Sequence, residues 1–192
     1  MSVYVSLAQF KDYTRNELQA VDDATLQAAL DAAEEAVNAY CQRNFAVAGA
    51  ASARSYSPYT FGTSTLFIHD CTSISSVTEW GQTVTTDQYI AEPYAPSLTG
   101  VQKPYDRLTR YRTWWTWDYG KPQIVVTATW GWAATPARVV EATKILAKDI
   151  FLQRNIQSGV AGFGEFGAVP VRQNAYVVSL LDNLRRSESL GI

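Results

Sequence analysis

The stretch DDATLQAALDAAEEAVNAYCQRNF, residues 22–45, constrains the fold more than any other part of the chain. Leu26, Leu30, Ala33, Val37 and Tyr40 or Cys41 recur at steps of four and three, while Gln27, Asp31, Glu34, Glu35 and Asn38 occupy the other faces. A stripe of that kind has to be buried. Asp22 and Asp23 supply a cap and negative charge for the positive end of the helix dipole, and Arg43 sits just past the last turn, where a cation is favoured. Ala28, Ala29, Ala32, Ala33 and Ala36 raise helix propensity and let a neighbouring helix approach closely. The helix therefore needs helical partners, and the sequence offers three.

The first partner is short: Ser6 followed by Gln9 fits a capping box, and Leu7, Phe10 and Tyr13 give two turns with one apolar side. The second spans residues 136–156, with Thr135 as cap and Pro136 at the first helical position, where a missing N–H costs nothing. Val139, Ala142 or Thr143, Leu146, Ile150 and Gln153 run along one side of it, widened by Val140, Ala147 and Phe151. The third spans residues 174–186, with Val177, Leu180, Leu181 and Leu184 inward and Arg185 and Arg186 at its negative end.

Between the second and third helices the pattern changes. AVAGAASARS, residues 46–55, reads as a linker or mobile loop. Strands follow at residues 66–68, 74–80, 83–90 and 123–130; in the last, Val125, Thr127 and Thr129 alternate with Ile124, Val126, Ala128 and Trp130. Trp80-Gly81-Gln82 forms a tight turn, with Gly81 taking the unusual backbone angle. The expected fold is α+β: a small bundle of three to four helices with a long antiparallel β-insertion between the second and third. It makes one domain over residues 1–192, with the bundle from 1–45 and 133–192 and the insertion at 46–132.

A hydrophobic fraction of 47% with 18% charged residues excludes wholesale disorder. No run of about 18 apolar residues exists, and MSVYVSLAQF lacks the basic start and apolar core of a secretion signal, so synthesis and assembly in a cytoplasm are expected. Cys41 and Cys71 are read as free thiols. The net charge of −2 hides an asymmetry: residues 1–100 carry −7 and residues 101–192 carry +5. Either both sets are solvated surface, or an acidic face of one subunit meets a basic face of the next, a heterologous contact of the kind that closes into rings.

Catalytic chemistry has little to work with. His69 is the only histidine, so paired catalytic histidines and multi-histidine metal sites are excluded, and no cofactor or metal is expected. His69-Asp70-Cys71 has the letters of a thiol nucleophile but reads more simply as a strand end and a turn. Glycines 162, 164 and 167 match G-x-G-x-x-G, yet a helix precedes them and Ala168-Val169-Pro170 follows, so no phosphate-binding helix start is formed. The segment 157–173 is read instead as a mobile loop that orders on assembly and docks Phe163 and Phe166 on a neighbour.

The remaining patch is YDRLTRYRTWWTWDYGK, residues 105–121, where Arg107, Arg110 and Arg112 mix with Trp114, Trp115 and Trp117. Such interleaving suits a protein core or an interface, in which Arg110, Arg112, Trp114, Trp115 and Trp117 would be the contact residues. The alternative is a nucleic-acid- or carbohydrate-binding module that stacks bases or sugars on the tryptophans. A hydrolytic version would draw on Glu79, Asp87, Glu92, Asp106 and Asp118, whose spacing fixes no two of them together.

In order and spacing, four stretches resemble the head-to-tail connector (adaptor) family of tailed double-stranded DNA bacteriophages: SLAQFKDYTR, the organising helix, VVTATWGWAATPARVVEATKILAKDIFLQR, and GFGEFGAVPVRQNAYVVSLLDNLRR. The resemblance implies a structural virion protein, not an enzyme, in a homo-oligomeric ring, usually dodecameric. The ring docks beneath the portal protein, extends the channel for double-stranded DNA without binding it specifically, and offers a platform to downstream neck or tail proteins. It also implies a virion neck location after assembly in the host cytoplasm, with no membrane partner, and portal contacts from the C-terminal part, here Leu184, Arg185, Arg186 and Leu190. The β-insertion is long and tryptophan-rich for such a protein.

Overall fold

The computed structural model describes residues 3–14, 21–58, 60, 62–93, 103–116, 123–156, 171 and 174–186. The chain forms two compact units, Met1–Phe45 with Thr135–Ile192, and Ala46–Ala134. The first holds α1 (Leu7–Tyr13), α2 (Asp23–Cys41), α3 (Ala137–Ile156) and α4 (Ala175–Leu181), the last followed by a 3-10 turn at Asp182–Leu184.

The starts of α1, α2 and α4 are secured by side chains of their own segments. Ser6 Oγ accepts from the Gln9 amide while Gln9 Oε1 accepts from the Ser6 amide, a complete capping box. The Asp22 carboxylate accepts from the Thr25 amide, and Asn174 Oδ1 accepts from the Tyr176 and Val177 amides. Leu26, Ala29, Leu30, Ala33, Ala36, Val37 and Cys41 form the buried face of α2, which packs against α1 and α3. Cys41, not Tyr40, completes the stripe; the Tyr40 hydroxyl turns outward and donates to Asp182 at 2.6 Å. Gln42 ends the helix in a left-handed conformation with φ 52°.

The Tyr4 hydroxyl joins the N-terminal segment to the far end of α2. It donates to Asn38 Oδ1 at 2.6 Å and accepts from the Phe45 amide at 2.7 Å, and burial pushes its pKa up to about 12.

Three sequence expectations for this unit need correction. The Thr135 hydroxyl donates to the Phe45 carbonyl, and the Pro136 carbonyl accepts from Val139 and Val140, so α3 starts one residue later than its cap pattern suggests. Gln153 is exposed, which leaves the buried face of α3 to Val139, Ala142, Thr143, Leu146, Ala147 and Phe151. The expected helix over 174–186 is regular only to Leu181, and Arg185 and Arg186 lie beyond the 3-10 turn.

The second unit is an antiparallel six-stranded sheet: β1 (Ser52–Tyr56), β2 (Thr65–Glu79), β3 (Gln82–Thr83), β4 (Tyr89–Glu92), β5 (Tyr105–Arg110) and β6 (Ile124–Trp130). The order is β1-β6-β2-β5-β4, with β3 paired to the end of β2. Residues 46–55 are therefore not a linker. Ser52–Tyr56 is an edge strand on β6, and Ala46 and Ala48 hydrogen-bond to Trp132. The expected strands at 66–68 and 74–80 are one continuous strand with His69 to Cys71 in its middle, not at a strand end. The expected strand at 83–90 is split into β3 and β4 by a turn, and residues 105–110, read as part of a patch, are a strand.

β2 is shared between two halves of the sheet. Thr65 to Cys71 pair with β5 and Cys71 to Glu79 with β6, and register breaks fall between Phe67 and Cys71, Cys71 and Ser73, and Ile74 and Ser76. Such bulges bend a strand and raise its twist. A straight strand of this length would span about 50 Å. Yet Glu79, its last residue, pairs at 2.8 Å with Arg110, whose amide bonds to Ser64 just before the strand begins. The sheet must curl on itself, and the interior it encloses holds Leu66, Ile68, Val77, Leu108, Ile124, Val126 and Trp115. The turn after Glu79 has positive φ at both Trp80 (54°) and Gly81 (76°), as a two-residue type I′ hairpin requires.

Candidate functional site

The sequence suggested three places for function: a thiol triplet, an aromatic–basic patch and the C-terminal residues. The triplet assembles no nucleophile. In a regular strand His69 and Cys71 would share a face, but the register break between them leaves His69 exposed and Cys71 in the core. His69 Nδ1 bonds to the Tyr56 hydroxyl at 2.7 Å. That hydroxyl also accepts from the His69 amide at 3.2 Å. Burial pushes the Cys71 thiol up to about 12, and the carboxylates of Asp70 and Asp106 add to the effect. Asp70 is engaged by Trp132, whose indole N–H donates to it at 3.1 Å.

The aromatic–basic patch divides into an internal and an external set. Trp115 is 2% exposed: its amide donates to Thr63, its indole N–H donates to the Leu108 carbonyl at 3.2 Å, and the Arg110 guanidinium lies 4.5 Å above its ring. Arg110 is held in turn by Glu79, whose other carboxylate oxygen accepts from the Thr116 amide at 2.7 Å. Trp115 is thus taken up inside the sheet unit, and the half-buried Arg110 is held against its ring by Glu79. Trp114 is 64% exposed and Tyr111 51%, and Arg112 is exposed on a backbone with φ 56°. Trp117, Phe163 and Phe166 lie outside the described residues.

Trp80 belongs to the external set, although the sequence marked it only as a turn residue. It is 50% exposed and next to Glu79, which bonds to the segment carrying Trp114. A tryptophan at the tip of a two-residue turn has no core to enter, and this is the signal that could have flagged it. On the helical unit, Leu152 and Tyr176 are also exposed apolar side chains that periodicity did not single out, and Tyr13, expected on the apolar side of α1, is exposed too.

At the C-terminal end, Leu184 is 2% exposed and closes the core of the helical unit, so it presents no surface to a portal. The Arg186 amide donates to the Cys41 carbonyl at 2.9 Å, and the Arg185 guanidinium lies 5.1 Å over the ring of Tyr40. Arg185 remains exposed, while Leu190 is outside the described residues.

The sheet unit also carries a groove of about 560 Å³, lined by Thr72 to Ile74 of β2, Thr86 and Asp87 of the following turn, Tyr89 to Ala91 of β4, Tyr105 and Tyr111. Thr72 to Ile74 lie where the register of β2 against β6 breaks twice, so consecutive residues there reach one groove. Burial raises the pKa of Tyr89 at its wall. Among the described residues, Asp87 is the only charged one in the lining.

Among the described residues no group of three or more His, Cys, Asp or Glu could hold a metal ion, and no helix is long and apolar enough to cross a membrane. No protein-family model and no curated protein matches the chain. Solved structures do. One, described as the neck of an empty gene transfer agent (GTA) particle computed with C6 symmetry, aligns over 100% of this chain and 96% of that one, with 16% identity and a TM-score of 0.57. Another, the neck of the native GTA particle computed with C12 symmetry, aligns over 97% of this chain and 91% of that one, with 16% identity and a TM-score of 0.49. Over the aligned length, this chain is similar in fold to a chain of that empty-particle neck.

Proposed function

We propose that the protein is a structural, non-enzymatic connector of a phage or phage-like particle, forming a ring, dodecameric by expectation, between the portal and the tail. The observation that carries this reading is the full-length fold likeness to a chain of the GTA particle neck, which takes in the helical unit and the β-unit together. That neck was computed with sixfold symmetry, and any chain lying off a sixfold axis recurs in a multiple of six. The exposed Trp80, Tyr111, Arg112 and Trp114 suit a contact with an adjacent subunit or a neck protein, since aromatic residues and arginine enrich interface centres.

The ring docks on the portal through the C-terminal end, where Arg185, Arg186 and the tail with Leu190 are the contact residues. It extends the DNA channel with a lining that does not hold phosphates tightly, because tight pairing would oppose passage. The test is co-sedimentation with a portal ring. The wild-type chain is expected to sediment with the portal, and Arg185→Glu with Arg186→Glu to lose most of that binding while keeping its own oligomeric mass. Undiminished binding by the double variant would remove the C-terminal assignment. The nucleic-acid alternative is weakened by the burial of Trp115 and the pairing of Arg110 with Glu79.

A further inference from the structure

Among the described residues the sheet order ends on two different strands, β1 and β4, each with a neighbour on one side only, while the two-residue β3 pairs with the end of β2 alone. A contact between β1 of one copy and β4 of the next joins two unlike surfaces. It therefore leaves one β1 and one β4 free at the ends of any open chain of subunits, and only closure satisfies both. β4 is bordered by the groove, whose rim also includes residues 72–74 of β2. Among the described residues, that part of β2 pairs with β6 alone.

The two edges are also complementary in charge and size. β1 carries Arg54 and no acidic residue, and Ser52, Ala53 and Ser55 beside it are small and exposed, so another backbone can come close. On the other side, Asp87 is exposed in the groove and Glu92 ends β4, and among the described residues no lysine or arginine lines the groove. Tyr89, Tyr105 and Tyr111 give the groove aromatic walls, a surface on which a guanidinium stacks favourably. Within its own chain Arg54 already adopts that kind of contact, 4.6 Å over the ring of Trp130.

We propose that β1 of one copy docks along β4 and its acidic groove in the adjacent copy, with Arg54 facing Asp87, and that this strand-edge contact joins the β-units around the ring. The proposal rests on the ring reading and names the surfaces that close it. Strand addition supplies backbone hydrogen bonds for affinity, and the opposed charges select the heterologous pairing over β1 with β1 or β4 with β4.

The test uses the full chain and its mass by light scattering behind a sizing column, at low and moderate salt. Four proteins are compared: wild type, Arg54→Glu, Asp87→Arg, and the two substitutions together. Both positions are exposed, and thermal melts check that each variant is folded. The expected result is that each single charge reversal raises the concentration needed for assembly about tenfold or more, and that the double variant recovers assembly. Moderate salt weakens the wild-type contact in the same direction. Single variants that assemble like wild type overturn the strand-edge contact while the ring reading stands. Failure of the folded double variant to recover also overturns the pairing of Arg54 with Asp87. A wild-type chain that is monomeric at every concentration and salt, with or without portal, overturns both.

Discussion

At the scale of single residues, the two thiols are governed by burial. Cys41 and Cys71 are both free and buried, and burial pushes each up to about 12. An unfolded thiol ionises near 8.5, so between that pH and 12 the native chain keeps protons that the unfolded chain has lost. Their contribution to stability is complete below the unfolded pKa and is lost as pH rises through the native one. Urea midpoints are expected to hold steady from pH 7 to 8 and to fall above pH 9, before the tyrosines join in, and a Cys41→Ala with Cys71→Ala variant should show a flatter slope between 9 and 10. A thiol reagent at pH 8 should label neither cysteine in the folded protein and both in urea; rapid native labelling of either would contradict the placement. The sequence left Tyr40 and Cys41 as equal candidates for the buried stripe. A single helical step does not decide between neighbours, and the choice follows from Asp182, distant in sequence, capturing the Tyr40 hydroxyl.

The elements differ in how plainly the sequence announced them. The helices were legible because the starts of α1, α2 and α4 carry local caps and the buried faces repeat from turn to turn, as in α2. β6 was legible because its burial alternates without a break. β1 was not: as an edge strand it is exposed on both faces, so no apolar alternation marks it. β5 was hidden because Asp106 takes an inward position next to Leu108, and a buried carboxylate interrupts the apolar pattern that would announce a strand. β2 was cut in two because its bulges shift the alternation out of phase. Gly131 follows from the same region. It has φ 119°, and a Cβ there would stand 2.7 Å from the Ala46 carbonyl oxygen and 3.0 Å from the Ala48 backbone, which bonds to Trp132. Gly131→Ala is expected to lower unfolding stability by about 3 kcal/mol, measured by urea titration. A neutral result would mean that residues 46–48 do not pack on the end of β6 as described.

For the whole molecule, the argument runs from unlike surfaces to assembly. The acidic first half and basic second half, the two unlike sheet edges and the exposed Trp80, Tyr111 and Trp114 are features that one chain alone leaves unused. Sequence order and spacing led to the connector family, and the fold agrees over the full length with a neck chain. The interface residues were harder to read. Leu184 and Trp115 have the composition of contact residues, but curling of the sheet and closure of the bundle bury them, and Arg110 is held by Glu79. No local pattern distinguishes an aromatic residue that fills its own core from one kept for a partner. The measurement that tests the central claim most directly is the mass of the purified chain in solution, alone and with a portal ring, at low salt. The account predicts a closed species, near twelve times 21.3 kDa or roughly 256 kDa for a dodecamer, formed alone or on the portal. A 21.3 kDa monomer that ignores the portal would contradict it.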